Sequence, residues 1–143
     1  MKKGFTLVEL LVVISIIAIL AVVISVSFSR AQKDGRDQRR VEDLKAIQNA
    51  AEQYYMLNGG SYPVMGNYRS QASSWMINSQ VVLQKYPLDP KNIEYLVNNS
   101  MTNVSGYCVC AVMENLKNSN AENTSCTFSN VATNQYFCVR NQQ

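Results

Sequence analysis

The chain contains no histidine among its 143 residues. Histidine is the commonest general base near neutral pH and a frequent metal ligand, so its absence removes the usual residues of most hydrolase and zinc sites. The glycine-rich loops that bind phosphate and the nucleophile elbow of hydrolases are missing as well. We therefore expect no enzymatic activity, no cofactor and no bound metal ion.

An excess of positive charge is also missing. Thirteen Lys and Arg residues stand against ten Asp and Glu residues, which leaves a formal net charge of +3. A nucleic-acid-binding module usually carries a dense basic face, and so balanced a composition does not provide one. We expect no nucleic-acid partner.

Residues 5–28 form an apolar run in which Glu9 is the single charged residue. As a helix rising about 1.5 Å per residue, this run reaches about 36 Å and exceeds a hydrocarbon layer of about 30 Å. A secretory signal peptide is the alternative, although its apolar part is usually only about 7–15 residues long. We expect a transmembrane helix. A charge costs about 2.5–3.5 kcal/mol at the bilayer centre, so Glu9 requires a compensating partner.

Residues 29–58 are predicted to form an amphipathic helix. From Val41 to Ala51, apolar residues recur at intervals of three and four, and Gly59 follows as a helix-ending signal. If the apolar and amphipathic stretches are continuous, they make one long helix, and Gly35 is the position where it is expected to bend most easily.

Residues 59–143 are predicted to form a small globular head. Short strands are expected near Ile93–Val97, Tyr107–Met113 and Gln135–Val139, and a surface loop rich in Asn, Ser and Thr over Glu114–Asn134. The predicted fold is α+β, with a long N-terminal helix, half transmembrane and half amphipathic, packed on a small antiparallel β-sheet.

Four cysteines lie in this head: Cys108, Cys110, Cys126 and Cys138. An even number placed after a hydrophobic segment indicates disulfides in an oxidising compartment, and three pairings are possible. Cys108 and Cys110 would share one face of a strand, so each is expected to pair with Cys126 or Cys138. The Cys-x-Cys spacing is not that of a zinc knuckle, which argues against a metal site.

The N-terminal sequence resembles the class III signal of type IV pilins and of the pseudopilins of type II secretion. The resemblance lies in residues 3–11, Lys-Gly-Phe-Thr-Leu-Val-Glu-Leu-Leu, which lead into the apolar run. Two short proline-containing segments further along the chain resemble the major pseudopilin pattern: Tyr62-Pro63 and the Pro-Leu-Asp-Pro of residues 87–90.

This resemblance implies how the N-terminus is processed. A membrane-embedded prepilin peptidase would remove the leader, residues 1–4, by cutting after Gly4, and would then methylate the new N-terminus at Phe5. The acid matching Glu9 supports assembly in that family. The α-amine of Phe5, with an ordinary pKa of about 7.7–8.0, would be largely cationic and available to pair with Glu9 of a neighbouring copy.

The resemblance also implies a structural subunit of a type IV pilus-like or type II secretion pseudopilus filament. Its partners would be further copies of the chain, the prepilin peptidase, and an inner-membrane assembly platform with its ATPase. The protein would be a single-pass inner (cytoplasmic) membrane protein with its head outside the cytoplasm, and an extracytoplasmic filament after assembly. Positive residues are more numerous after the span than before it and favour the opposite orientation, whereas the cysteines and the resemblance favour this one.

Several alternatives remain open at this point. A minor pilin or adhesin and a DNA-uptake pilin fit the same pattern, and a membrane-anchored enzyme fits it less well. The sequence does not distinguish secretion, adhesion, DNA uptake and motility, nor a major from a minor subunit.

Overall fold

A computed structural model describes residues 4–64, 74–98, 106–129 and 133–142, apart from the side chains of residues 23–27. Residues 1–3 of the predicted leader and residues 130–132 of the predicted loop lie outside these ranges. The described residues form a helix and five strands: α1 (Leu7–Leu57), β1 (Trp75–Ile77), β2 (Gln80–Leu83), β3 (Leu96–Val97), β4 (Cys108–Val112) and β5 (Tyr136–Arg140).

The strands form two small antiparallel sheets, the hairpin β1-β2 and the three-stranded sheet β3-β4-β5. This arrangement confirms the predicted α+β class. The sequence analysis missed the hairpin. Its turn residues Asn78 and Ser79 both have positive φ, 48° and 67°, as a two-residue type I′ turn requires, but Asn-Ser is a weaker signal for such a turn than Asn-Gly.

Strand β3 is shorter than predicted. It covers only Leu96 and Val97, because the carbonyl of Ile93 accepts a hydrogen bond from the backbone N of Asp89 at 3.1 Å and closes a loop there. Strands β4 and β5 lie within one residue of their predicted bounds.

Helix α1 is continuous over 51 residues and ends where the sequence predicted. The backbone N of Gly60 donates to the carbonyl of Tyr55 at 3.0 Å, and Gly59 and Gly60 have φ of 64° and 84°. This bond, from the third residue past Leu57 back to the last turn of the helix, is that of a Schellman cap. Glycine suits it because positive φ carries no Cβ penalty.

The chain divides into two compact units, residues 1–34 and residues 35–143. In the first unit, the large apolar side chains of α1 from Leu7 to Val22 are exposed. No helical segment among the described residues combines the length and the hydropathy that a membrane crossing requires.

The core of the second unit lies between α1 and the strands. Leu44, Ile47 and Ala51 of α1 are fully buried, as their spacing predicted. They belong to one cluster with aromatic and small residues of the head: Tyr62, Trp75, Tyr86, Tyr95, Tyr107, Val109 and Ala111. Trp75, the single tryptophan, is fully buried in this cluster and acts as a packing anchor.

Both faces of β4 are covered. Val109 and Ala111 belong to the cluster with α1, whereas Cys108 and Cys110 belong to a second cluster with Ala121 on the opposite face. The alternation of the strand places Val109 and Ala111 on one side and the two cysteines, with the exposed Val112, on the other. The described part of the predicted loop after β4 contains a 3₁₀ turn, Leu116–Asn118.

Candidate functional site

The start of α1 is built by Thr6 and Glu9. The backbone N and the hydroxyl of Thr6 both donate to Oε2 of Glu9, at 2.9 and 2.7 Å, and the backbone N of Glu9 donates to Oγ1 of Thr6 at 3.3 Å. This reciprocal arrangement is a capping box, which provides partners for amides that a helix start leaves unpaired. The position also suits a carboxylate, because the helix dipole is positive there.

This local role of Glu9 was not predicted from the sequence, where Glu9 was interpreted as a charge in an apolar run that supports assembly. The available signal was the spacing Thr-x-x-Glu, which is the sequence signature of a capping box. Glu9 therefore has hydrogen-bond partners within its own chain, whether or not a second copy is present.

The predicted cleavage junction lies immediately before this cap. Gly4 and Phe5 are outside the helix and exposed, and no atom lies within 4 Å of the point where a Cβ of Gly4 would be. Exposed, non-helical backbone near a chain terminus is the usual target of proteolysis. The structure thus brings the three predicted residues Gly4, Phe5 and Glu9 together at one accessible helix start.

A second cluster of charges lies in the head unit, around Arg40. Asp37 and Arg40 of α1 are 0% and 3% exposed. The Arg40 guanidinium donates to Oδ1 of Asp37 at 2.6 Å, to Oε1 of Glu114 at 3.0 Å and to both carboxylate oxygens of Asp89. One guanidinium thus joins the helix to the loop before β3 and to the segment after β4.

Two further cationic side chains bind the carboxylate of Glu114. Arg36 binds its two oxygens at 2.8 and 2.7 Å, and Lys91 lies 3.2 Å from Oε2. The hydrogen bonds from Arg36, reinforced by Lys91 and Arg40 and opposed by burial, hold the pKa of Glu114 well below its ordinary value. For Arg40, burial lowers the pKa, but the bonds to Asp89 and Asp37 outweigh burial and raise it. These groups stay charged near neutral pH.

The sequence analysis did not find this cluster. The missed signal is that Asp37 and Arg40 continue the buried stripe of α1 at the same intervals of three and four that Leu44 follows. Charged residues on such a stripe are buried with partners.

Two helix carboxylates bind buried tyrosines of the head. Asp43 accepts a hydrogen bond from the hydroxyl of Tyr95 at 2.7 Å, and Glu52 accepts bonds from Tyr62 at 2.9 Å and Tyr107 at 3.2 Å. Burial, together with the adjacent carboxylates, raises the pKa of Tyr95 and of Tyr107. These tyrosines act as neutral donors that hold the head to the helix.

All four cysteines form disulfides. Cys110 and Cys138 face each other in the register of β4 and β5, and their disulfide joins the two strands. Cys108 pairs with Cys126 and ties the loop after β4 to the sheet. Each strand cysteine thus bonds to a distant partner, and the structure selects one of the three pairings that the sequence left open.

The N-terminal sequence has a recognisable family match. Residues 1–25 match the family described as the prokaryotic N-terminal methylation motif. This motif is the signature of type IV pilins and pseudopilins, so the resemblance found in residues 3–11 is confirmed. Searches of curated protein sequences and of solved structures gave no significant match.

The motif indicates a pilin-like or pseudopilin precursor. Proteins that carry it are in general processed by prepilin peptidase, anchored in a membrane and then assembled into filaments outside the cell. The match ends at residue 25 and does not extend to the head.

Proposed function

We propose that this chain is a structural subunit of a type IV pilus-like or type II secretion pseudopilus filament. Prepilin peptidase removes residues 1–4 by cutting after Gly4 and methylates Phe5. Residues 5–28 then hold the subunit in the inner membrane, with the head outside the cytoplasm, until an assembly platform and its ATPase add it to the filament. The observation that carries the proposal is the match of residues 1–25 to the methylation motif.

The exposed apolar surface of α1 supports this proposal. Between Leu7 and Val22, each large apolar side chain is about half exposed or more. Apolar surface in water costs roughly 25 cal/mol per Å², and large exposed apolar patches mark sites of contact with membranes or other proteins. Lipid would cover this surface before assembly, and helices of other copies would cover it in the filament.

Glu9 has a specific role in the proposed assembly. Both bonds from Thr6 go to Oε2, which fixes the orientation of the carboxylate. After cleavage, the ammonium of Phe5 in an adjoining copy pairs with this carboxylate and sets the axial register of the packed helices. Removing one partner of such a buried pair typically costs about 3–5 kcal/mol.

The variant Glu9→Gln tests the negative charge of Glu9 separately from its role in the helix cap. Glutamine still completes a capping box, so the helix start is preserved while the negative charge is lost. We expect processing at Gly4 to continue and filament yield to fall roughly 100-fold or more, which corresponds to about 3 kcal/mol. The matched control is Glu42→Gln, at an exposed glutamate of α1.

Electron microscopy of sheared filaments and intact mass of the mature subunit are the measurements. Normal filament yield from Glu9→Gln would contradict the pairing. A mature chain that still carries Met1 to Gly4 would contradict the proposed processing.

The proposal includes no catalytic activity and no cofactor. The charged groups of the head serve to hold its segments on α1. Secretion, adhesion, DNA uptake and motility are all uses of such filaments, and the phenotype of a gene deletion distinguishes among them.

A further inference from the structure

The four cysteine sulfurs form a compact and buried cluster. All four Sγ atoms lie within 4.8 Å of one another, and those of Cys108 and Cys110 are 3.7 Å apart. Each of the four residues is at most 6% exposed. In a tetrahedral site with zinc–sulfur bonds of about 2.3 Å, neighbouring sulfurs are about 3.8 Å apart. Two of the six sulfur pairs are the disulfide bonds themselves, at 2.11 and 2.00 Å. Once reduced, these two pairs have to separate to about 3.8 Å, and all four sulfurs are then within reach of one metal ion.

We propose that the reduced protein binds one Zn²⁺, or another thiophilic divalent cation, through Cys108, Cys110, Cys126 and Cys138. This inference goes beyond the proposed function and does not depend on it. The Cys-x-Cys spacing argued against a metal at the level of sequence. The fold changes that conclusion, because the register of β4 and β5 and the loop carrying Cys126 bring ligands from three segments together.

The donor set defines the kind of site. Four thiolates prefer soft or borderline cations such as Zn²⁺ over Ca²⁺ or Mg²⁺, which take oxygen ligands. Four protein ligands leave no open position, so the metal would be structural. It would link the same three segments that the two disulfides link in the oxidised protein.

The chemistry begins with reduction of the two disulfides. A water-soluble phosphine reduces each disulfide to two thiols and becomes a phosphine oxide by taking the oxygen of one water molecule. Four zinc–sulfur bonds then form as the four thiols release four protons to solvent. The four sulfurs can therefore form either the two disulfides or the metal site, but not both at once.

The test uses the full chain in detergent micelles, reduced with phosphine under anaerobic conditions. Equilibrium dialysis should show one Zn²⁺ per chain, and Co²⁺ should give the absorption of a tetrahedral thiolate complex that Zn²⁺ abolishes. The unreduced chain should show neither. The double variant Cys108→Ser/Cys126→Ser, reduced in the same way, keeps only two of the four thiols, so it should bind Zn²⁺ far more weakly and should not give the four-thiolate absorption with Co²⁺.

Three outcomes would overturn the proposal. The first is that the reduced chain takes up no more Zn²⁺ than the unreduced chain. The second is that the reduced double variant binds Zn²⁺ as tightly as the reduced wild-type chain. The third is that circular dichroism shows the head unfolded after reduction and Zn²⁺ does not restore its spectrum.

Discussion

The guanidinium of Arg40 on α1 binds the carboxylate of Asp89, which lies 49 residues further along the chain in the loop before β3. Both residues are buried. Asp89 also accepts a hydrogen bond from the backbone N of Lys91 at 2.8 Å, as expected of the turn residue that its place before Pro90 predicts. One carboxylate thus closes a turn and fixes that turn to the helix.

Replacing Arg40 by Leu should destabilise the head strongly. The substitution leaves Asp37 and Asp89 as buried carboxylates that have lost their cation, and breaking a buried pair in this way costs about 3–5 kcal/mol. Denaturant unfolding, followed by the fluorescence of the buried Trp75, measures the effect. Arg39→Leu, at the exposed neighbouring position, should change stability by less than about 0.5 kcal/mol. Equal effects of the two substitutions would contradict the assigned role of Arg40.

Glu114 should make the head less stable in acid. Its pKa is lower in the folded than in the unfolded chain, chiefly because Arg36 binds it, so the unfolded state takes up a proton first as pH falls. The contribution is complete above the ordinary value of 4.5 and is lost as pH falls below it toward the folded pKa. The stability difference between wild type and Glu114→Gln should therefore shrink below about pH 4.5.

Burial raises the pKa of Asp43, even though Tyr95 donates a hydrogen bond to it. Asp43 therefore changes stability with pH in the opposite direction to Glu114. The comparison with Glu114→Gln separates the two effects. Glu122→Gln, at an exposed glutamate, serves as the control and should follow wild type at each pH. A difference between wild type and Glu114→Gln that stays constant from pH 7 to pH 3 would contradict the pKa assignment.

The disulfide pairing has a direct chemical test. Peptide mapping of the unreduced protein should recover Cys108 joined to Cys126 and Cys110 joined to Cys138. Titration of the denatured, unreduced chain should find no free thiol. Loss of either bond should cost about 2–5 kcal/mol. Recovery of Cys108 joined to Cys138 would contradict the structure.

The capping box predicts a local effect at position 6. Thr6→Val removes the oxygen that accepts from the backbone N of Glu9, and loss of a helix cap typically costs about 1 kcal/mol. Hydrogen exchange of the Glu9 amide in micelles should accelerate about fivefold. Thr6→Ser keeps the oxygen and should exchange like wild type. Equal exchange in both variants would show that the cap is not formed.

The apolar stripe of α1 and its end were predictable, because Leu44, Ile47 and Ala51 follow helical spacing and Gly59 marks the end. The same spacing also indicated that Asp37 and Arg40 are buried, but their partners could not be predicted, because Asp89 and Glu114 lie in distant loops. Pairing of the cysteines was likewise undetermined, because it depends on strand register.

The N-terminal motif was recognisable in the sequence for a different reason. Its residues are contiguous, so Gly4, Phe5 and Glu9 are recognisable without knowledge of the fold. What the sequence analysis missed there was the role of Thr6, although the spacing of a capping box was present.

Solid-state NMR on mixed filaments tests the central claim most directly. One population of the chain would carry ¹⁵N at the amine of Phe5, and a second population would carry ¹³C at the side-chain carboxylate of Glu9. We expect a dipolar contact between the Phe5 nitrogen of one copy and the Glu9 carboxylate carbon of another. Their separation should be no more than about 4–6 Å, the range over which opposite charges interact strongly. The absence of this contact from the mixed filaments, with a contact appearing only in filaments of a chain that carries both labels, would contradict the pairing between copies.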